Sequence, residues 1–211
     1  MRSTWFRQQL TSTDELAGLI GVPSELSVKK QRCELDQHMQ DFIAQSPFVL
    51  LGTVGRDARC DVSPRGDAPG VARVLDSRNL AIPDWSGNRR VDSLRNIIET
   101  GRAGLLFLIP GLGETLRVNG RACVTRDTEL LSAMSVQGKQ PKLAIGFEIE
   151  ECFLQCAKAL IRSRLWESAA EGHMSSLPCF AEILLEQTKI DGQTVESLSQ
   201  AIAESYKNRL Y

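Results

Sequence analysis

The sequence predicts a mainly β protein, an antiparallel barrel with flanking helices. Six or seven short stretches rich in β-forming residues are separated by turn residues, with one principal helical stretch among them. Further segments with helical periodicity lie before the first of these strands and after the last. Because parallel sheets need a crossover helix between successive strands, this order of elements favours antiparallel pairing over repeated βαβ units.

The first half of the chain is predicted to pass from helix to strand at residue 48. Residues 11–20 and 29–45 have helical character, and Ser46 and Pro47 end the second helix. Strands are expected over residues 48–54, 58–63, 71–75 and 80–82, with a turn at 55–57 between the first two.

The second half begins with a helix over residues 91–100, which ends at Gly101, a residue typical of helix C-termini. Strands are predicted over 103–109, 115–125 and 143–150, with Gly120 at a bulge and a helical insert at 127–136. The tail is expected to be helical over 152–165, 177–187 and 194–206. We therefore divide the chain into an N-terminal helical segment (1–47), a barrel core (48–151) and a C-terminal helical extension (152–211).

Composition excludes several classes of function. The 25 basic residues nearly balance the 26 acidic ones and are interspersed with them, so a nucleic-acid partner is not expected. The six cysteines form no C-x-x-C pair, which argues against a structural zinc site and predicts no metal. No stretch is long and apolar enough to cross a membrane, and the first residues lack the apolar core of a signal peptide, so we expect a cytoplasmic protein.

The start of the predicted helix at residue 91 is the most informative local pattern. A helix N-terminus favours anions, and guanidinium groups there suit a phosphate. The alternative is that the arginines face water or pair with nearby carboxylates. The residues concerned are Ser86, Asn88, Arg89 and Arg90, with Asp92 and Glu99 as possible ion-pair partners. Spacing alone leaves both interpretations open.

Three stretches, residues 61–67, 81–96 and 156–166, together resemble the pyridoxamine 5′-phosphate oxidase-like flavoproteins, and in particular a flavin-nucleotide-binding subgroup. The resemblance extends well over residues 48–166. It implies the FMN-binding split β-barrel fold, FMN as the cofactor, and a homodimer with the cofactor at the subunit interface.

The resemblance also implies roles for individual residues. Asn88, Arg89 and Arg90 lie where the oxidases hold the FMN phosphate, and Ser63 and Arg65 lie near the phosphate and ring. Further residues would follow the isoalloxazine ring (Ile82, Pro83 and Asp84), reach the flavin from the other subunit (Thr115 and Arg117), or close over the site as part of a C-terminal signature (Lys158, Arg162, Ser163 and Trp166).

The resemblance implies an FMN-dependent oxidoreductase with a small-molecule substrate that the sequence does not identify. Gln155 stands where the subgroup usually has a histidine, so an acid–base role at this position is not expected. The pocket for pyridoxamine phosphate has no clear counterpart, so vitamin B6 oxidation is not expected. The alternative is a non-catalytic carrier or sensor of flavin or of the deazaflavin F420. Haem is poorly supported, because only His38 and His173 are available as imidazole ligands. No catalytic residue is assigned.

Overall fold

The structure is a computed structural model that describes residues 5–85, 87, 89–167, 178–208 and 211. The chain divides into two units, Met1–Gln31 and Arg32–Tyr211. The smaller unit contains helices α1 (Thr13–Ile20) and α2 (Glu25–Lys29). Both start where a serine hydroxyl, that of Ser12 or of Ser24, accepts a backbone hydrogen bond from the first turn. Helix α1 confirms the helix predicted over residues 11–20.

In the described part of the larger unit, seven strands form one antiparallel sheet in the order β2-β1-β5-β6-β7-β4-β3. The strands are β1 (Phe48–Val54), β2 (Cys60–Gly66), β3 (Arg73–Val74), β4 (Asn79–Asp84), β5 (Arg102–Leu108), β6 (Thr115–Thr125) and β7 (Leu143–Gln155). The prediction of a mainly β, antiparallel fold with flanking helices is confirmed. Backbone pairing among the described strands leaves β2 and β3 as edges, so hydrogen bonds do not close the sheet into a ring.

Helices accompany the sheet before, within and after its strands. They are α3 (Gln37–Gln45), α4 (Asp92–Thr100), α5 (Thr128–Ala133), α6 (Lys158–Ser163), α7 (Phe180–Thr188) and α8 (Val195–Asn208). Helix α4 ends at Gly101, which has a φ of 65° and donates its N–H to Ile97 O, as its sequence predicts. No helix in the described ranges combines the length and hydrophobicity that a bilayer crossing requires.

The hydrophobic core lies on one face of the sheet, beneath α3 and α4. Alternate residues of the strands are fully buried there, including Val49, Leu51, Leu105, Phe107, Leu116, Val118 and Ile145. Helix α3 contributes Met39, Phe42 and Ile43, and α4 contributes Leu94 and Ile97. Each large side chain buried in this way contributes about 1.5–3 kcal/mol.

The middle of β6 contains a β-bulge between Asn119 and Gly120, the position at which the sequence predicts one. A Cβ atom on Gly120 would lie 2.0 Å from the backbone oxygen of Glu148. Glycine therefore allows β6 and β7 to approach closely at this point.

The helix predicted over residues 29–45 is wrong in its first part. Arg32 instead forms a backbone bridge with Cys152, with N–H to O distances of 3.0 and 2.8 Å in the two directions. The helix starts only after Asp36, whose carboxylate accepts a hydrogen bond from Met39 N–H.

The helix predicted over residues 152–165 is also wrong at its start. Residues as far as Gln155 belong to β7, where Cys152 pairs with Val118 of β6. Helix α6 is confined to Lys158–Ser163. Three further strands differ from their predictions, since β3 contains only two residues, β2 runs from Cys60 to Gly66, and β4 runs from Asn79 to Asp84 where the sequence predicts residues 80–82.

Candidate ligand-binding site

A cavity of about 1140 Å³ lies between β2, β4 and the start of α4. Its walls come from separate parts of the sequence, namely residues 63–67, Val71, residues 142–143, and the following residues around the end of β4 and the start of α4: Ile82, Pro83, Asp84, Trp85, Gly87, Arg89, Val91 and Leu94. Part of the wall is apolar, formed by side chains such as Ile82, Pro83, Leu94 and Leu143. This volume is sufficient for a nucleotide-sized ligand.

Strand β2 gives the cavity a polar wall. Its residues alternate between exposed and half-buried positions, and the half-buried ones are Asp61, Ser63 and Arg65. In the register with β1 these three lie opposite Thr53, Leu51 and Val49, whose side chains point into the core. Edge strand β2 therefore places polar side chains on the core-facing side of the sheet, where most strands place apolar ones.

A chain of hydrogen bonds runs along this wall. Arg65 Nε donates to Ser63 Oγ at 3.3 Å, Ser63 and Ser93 hydroxyls are 2.9 Å apart, and Ser93 Oγ donates to Asp61. A serine hydroxyl has only one proton, and that of Ser93 is given to Asp61, so Ser63 must donate to Ser93. The chain fixes β2 against the first turn of α4.

Arg65 also forms an ion pair with Asp84 at the end of β4. The two side chains are only 19% and 17% exposed. This contact joins β2 to β4, two strands whose backbones do not pair in the described sheet. Much of the Arg65 charge is therefore compensated within the protein.

The first turn of α4 borders the cavity and has no side-chain cap. Its N-cap residue, Val91, has left-handed backbone angles (φ 52°, ψ 26°), and Arg89 also has a positive φ of 62°. A β-branched residue in this region is strained, and such strain is concentrated at ligand sites and switch regions. The backbone N–H groups at this end thus lack a capping side chain, and the negative charge in the first turn is that of Asp92, which is paired with Arg90.

Two cations on the cavity wall differ from the arginines around them. Arg65 is paired with Asp84, and Arg90 is paired with Asp92. Arg89 and Lys142 line the cavity and are exposed, and neither has an ion-pair partner among the described residues. They are the cavity-lining cations with charge available for an anionic ligand.

The rim of the cavity carries an aromatic pair held by one carboxylate. Trp85 Nε1 donates to one oxygen of Asp67 at 2.9 Å, and the Tyr211 hydroxyl donates to the other at 2.8 Å. The two rings are 4.9 Å apart and meet edge to face at 84°. The hydrogen bond to Asp67 raises the pKa of the Tyr211 phenol. Lys139 Nζ donates to Tyr211 O at 3.2 Å.

A sequence model of the pyridoxamine 5′-phosphate oxidase family matches residues 35–156, more than half of the chain. This chain belongs to that family. The matched region contains all seven strands and α3 to α5. No match is found among the curated proteins.

Solved structures with a similar fold include several bacterial proteins. HupZ of Group A Streptococcus has 17% identity and a TM-score of 0.48, over 58% of this chain and 94% of its own. General stress protein 26 of Bacillus anthracis has 13% identity and a TM-score of 0.42, over 55% and 88%. The heme storage protein HutZ of Vibrio cholerae has 15% identity and a TM-score of 0.40, over 58% and 94%. Membership of the oxidase family rests on the sequence match and not on these likenesses.

The structure brings together one group of the residues that the family resemblance implicates. Ser63, Arg65, Ile82, Pro83, Asp84 and Arg89 all line the cavity. Arg90 follows them in the same loop but pairs with Asp92. Asn88, predicted as a phosphate ligand, and Ser86 lie outside the described residues.

A second group lies at the opposite end of β6 and does not line the cavity of its own chain. It consists of Thr115, Arg117, Lys158, Arg162, Ser163 and Trp166. Thr115 is paired with Gln155 just before α6, and Trp166 Nε1 donates to Leu112 O at 2.7 Å. The β4 side of the cavity lies at the other end of β6, where Thr125 pairs with Ala144 near the start of β7.

The sequence-based prediction gives no role to Asp67, Trp85 and Lys142, which line the cavity, or to Tyr211, which contacts Asp67 and Trp85. Asp67 and Trp85 lie within the stretches that carry the resemblance, but neither was assigned a role. Lys142 and Tyr211 lie outside these stretches, and no local pattern marks either of them. Only the fold brings them to the same place.

Proposed function

We propose that this protein binds FMN in the cavity and acts as an FMN-dependent oxidoreductase on a small molecule. The observation that carries the proposal is the combination of an uncapped helix start with two available cations, beside an apolar wall, in one nucleotide-sized cavity. A phosphate and a flat ring are the two chemical parts of FMN that these features suit.

The phosphate end fits the start of α4. Arg89, Lys142 and the N–H groups of the first helical turn would donate to the phosphate oxygens. A hydrogen bond to a charged group contributes about 1.5–3 kcal/mol, so three or four such bonds suffice to hold a cofactor without a covalent link. Arg65 would mainly hold Ser63 and Asp84 in position, and not bind the phosphate itself, because its guanidinium group already contacts both side chains.

The ring end fits the apolar wall. Ile82 is fully buried, and Pro83, Leu94 and Leu143 extend the same surface along the cavity. These side chains would orient the isoalloxazine and exclude water from one side of it. The bound flavin supplies the redox chemistry, and the residues of this chain bind and position it.

The second group of implicated residues supports a homodimer with shared sites. Arg117 lies over the Phe153 ring at 5.4 Å, on the face of the sheet opposite the core. In register across that face lie Leu50, Leu106, Arg117 and Phe153, all half-buried. A partner chain packed on this face would bring its own Thr115 and Arg117 toward the cavity, as the resemblance implies.

The first test is FMN binding by the purified full-length chain, together with mass analysis of any small molecule released on denaturation. Arg89→Ala is expected to weaken FMN binding by roughly ten- to a hundredfold, because one charge-assisted bond to the phosphate is lost. Riboflavin, which has the ring but no phosphate, should bind the variant and the wild type equally. Arg95→Ala is the matched control, since Arg95 is exposed on the same helix and does not line the cavity.

Other results of these tests would change the assignment of the phosphate site, of the activity or of the ligand. Wild-type affinity for FMN in Arg89→Ala would exclude the helix start as the phosphate site. Rapid reduction of bound flavin by NADH or NADPH supports an oxidoreductase, whereas tight retention without reduction indicates a carrier or sensor. Release of a deazaflavin, recognised by its absorption band at shorter wavelength, would identify the ligand as F420 and not as FMN.

A further inference from the structure

Trp85 is the aromatic side chain of the described cavity wall, and its position is fixed at two points. Its indole N–H is bonded to Asp67, and its ring meets the Tyr211 ring edge to face. A tryptophan held in this way has lost most of its rotational freedom before any ligand arrives. A preorganised ring costs less entropy when a ligand binds against it.

Asp67 holds both aromatic residues in place. Its Oδ2 accepts a hydrogen bond from the indole of Trp85, and its Oδ1 accepts one from the hydroxyl of Tyr211 and one from the backbone N–H of Ala68. Bonds to an ionised carboxylate are shorter and stronger than bonds between neutral groups. Removing the carboxylate would release both rings at the same time.

We infer that Trp85 is the aromatic wall against which the planar ring system of the bound ligand lies, with Asp67 and Tyr211 as its positioning residues. The inference rests on the proposed function and specifies its ring subsite. Trp166, which the family resemblance implicates at the flavin, is bonded to Leu112 away from the cavity of its own chain. The loop after β4 supplies an indole at the cavity instead.

An aromatic wall at Trp85 predicts that the cavity binds ligands with a flat aromatic ring system more tightly than ligands without one. Aromatic side chains contribute both a large contact area and a ring-to-ring attraction, whereas an aliphatic residue provides only part of the area. Loss of the indole should therefore weaken every ligand that contains the ring and leave binding of inorganic phosphate unchanged.

The test measures affinities of the full chain for FMN, riboflavin and inorganic phosphate by fluorescence titration and calorimetry. Trp85→Leu is expected to weaken FMN and riboflavin by the same factor, roughly tenfold, and Trp85→Phe to retain most of the affinity. Trp5→Leu is the matched control, because Trp5 is 90% exposed and outside the cavity lining.

A double-mutant cycle tests the positioning role. Asp67→Ala should weaken FMN several-fold in the wild-type background and have no further effect in Trp85→Leu, since the residue it positions is gone. Tyr211→Phe should behave in the same way with a smaller factor. An equal effect of Asp67→Ala in both backgrounds would overturn the positioning role.

The outcomes separate this inference from the proposed function. If Trp85→Leu and Trp85→Phe both bind FMN and riboflavin like the wild type while Arg89→Ala loses FMN, the aromatic wall is wrong and the flavin site stands. The wall is equally wrong if Trp85→Leu weakens FMN but not riboflavin. A wild-type chain that binds neither flavin overturns the proposed function and this inference together.

Discussion

Cys152 shows how the fold changes the chemistry of a single residue. It is fully buried, whereas the other five cysteines are exposed. Its Sγ donates to Glu34 O at 3.3 Å. Burial, reinforced by the negative charge of Asp36, raises the pKa of the thiol to about 11. The thiol therefore stays protonated, and unreactive, at any ordinary pH.

Alkaline pH should reveal this burial as a loss of stability. The pKa is about 11 in the folded chain and 9.0 for an unperturbed thiol, so the unfolded state loses its proton first. The stabilisation is complete below pH 9 and is lost as the pH rises toward 11, at up to about 1.4 kcal/mol per pH unit. Between pH 9 and pH 11, the free energy of unfolding measured with urea should fall less steeply in Cys152→Ala than in the wild type. The exposed Cys60→Ala should show the same decline as the wild type.

Single residues also show where the sequence is and is not informative about the site. The position of Arg89 beside a helix start could be predicted, because the helix start and its flanking arginines are visible in a short stretch of sequence, whereas its phosphate-binding role is implied only by the family resemblance. The partner of Arg65 could not be predicted, since Asp84 lies on a strand that does not pair with β2. Trp85 and Tyr211 meet only after the chain has folded, so no spacing could reveal their contact.

Strand β6 depends on one glycine at its bulge. Gly120→Ala would place a methyl group 2.0 Å from Glu148 O, a backbone atom that cannot move without breaking the pairing with β7. We expect this substitution to lower the free energy of unfolding by about 3 kcal/mol or more. Gly52→Ala is the control, because its nearest contact, Gly104 O, is 3.7 Å away, and its unfolding midpoint should change little. Equal effects in urea unfolding would show that the close approach at Gly120 is not the cause.

The elements differ in how far their bounds could be predicted. Strands β1 and β6 begin and end at the predicted residues, because turn residues lie close to the ends of each. The start of α3 and the end of β7 could not be predicted correctly. Arg32 forms a backbone bridge with Cys152 before α3 starts, and β7 continues to Gln155 because its last residues pair with β6, so contacts between residues far apart in sequence replace the local helical preference at both places.

For the molecule as a whole, the proposed homodimer predicts a mass in solution of twice 23.3 kDa. Leu106→Lys would put a charge among half-buried apolar side chains on the outer face, and it should yield a folded monomer with weakened FMN binding. Light scattering and flavin titration measure both effects. Ile98→Lys is the control, because Ile98 is 71% exposed on α4. A Leu106→Lys variant that remains dimeric would exclude this face as the interface.

The position of the Arg65–Asp84 ion pair affects how quickly the protein would be degraded in a cell. It bridges a seam where the sheet has no backbone pairing, and the cavity lies along the same seam. A ligand that fills the cavity would therefore hold β2 and β4 together. At a ligand concentration of a hundred times its dissociation constant, it would raise the free energy of unfolding by about 2.7 kcal/mol. If the ligand is the proposed FMN, a chain made while FMN is scarce would open more often at the seam and be degraded sooner, which would couple the abundance of the protein to the FMN supply.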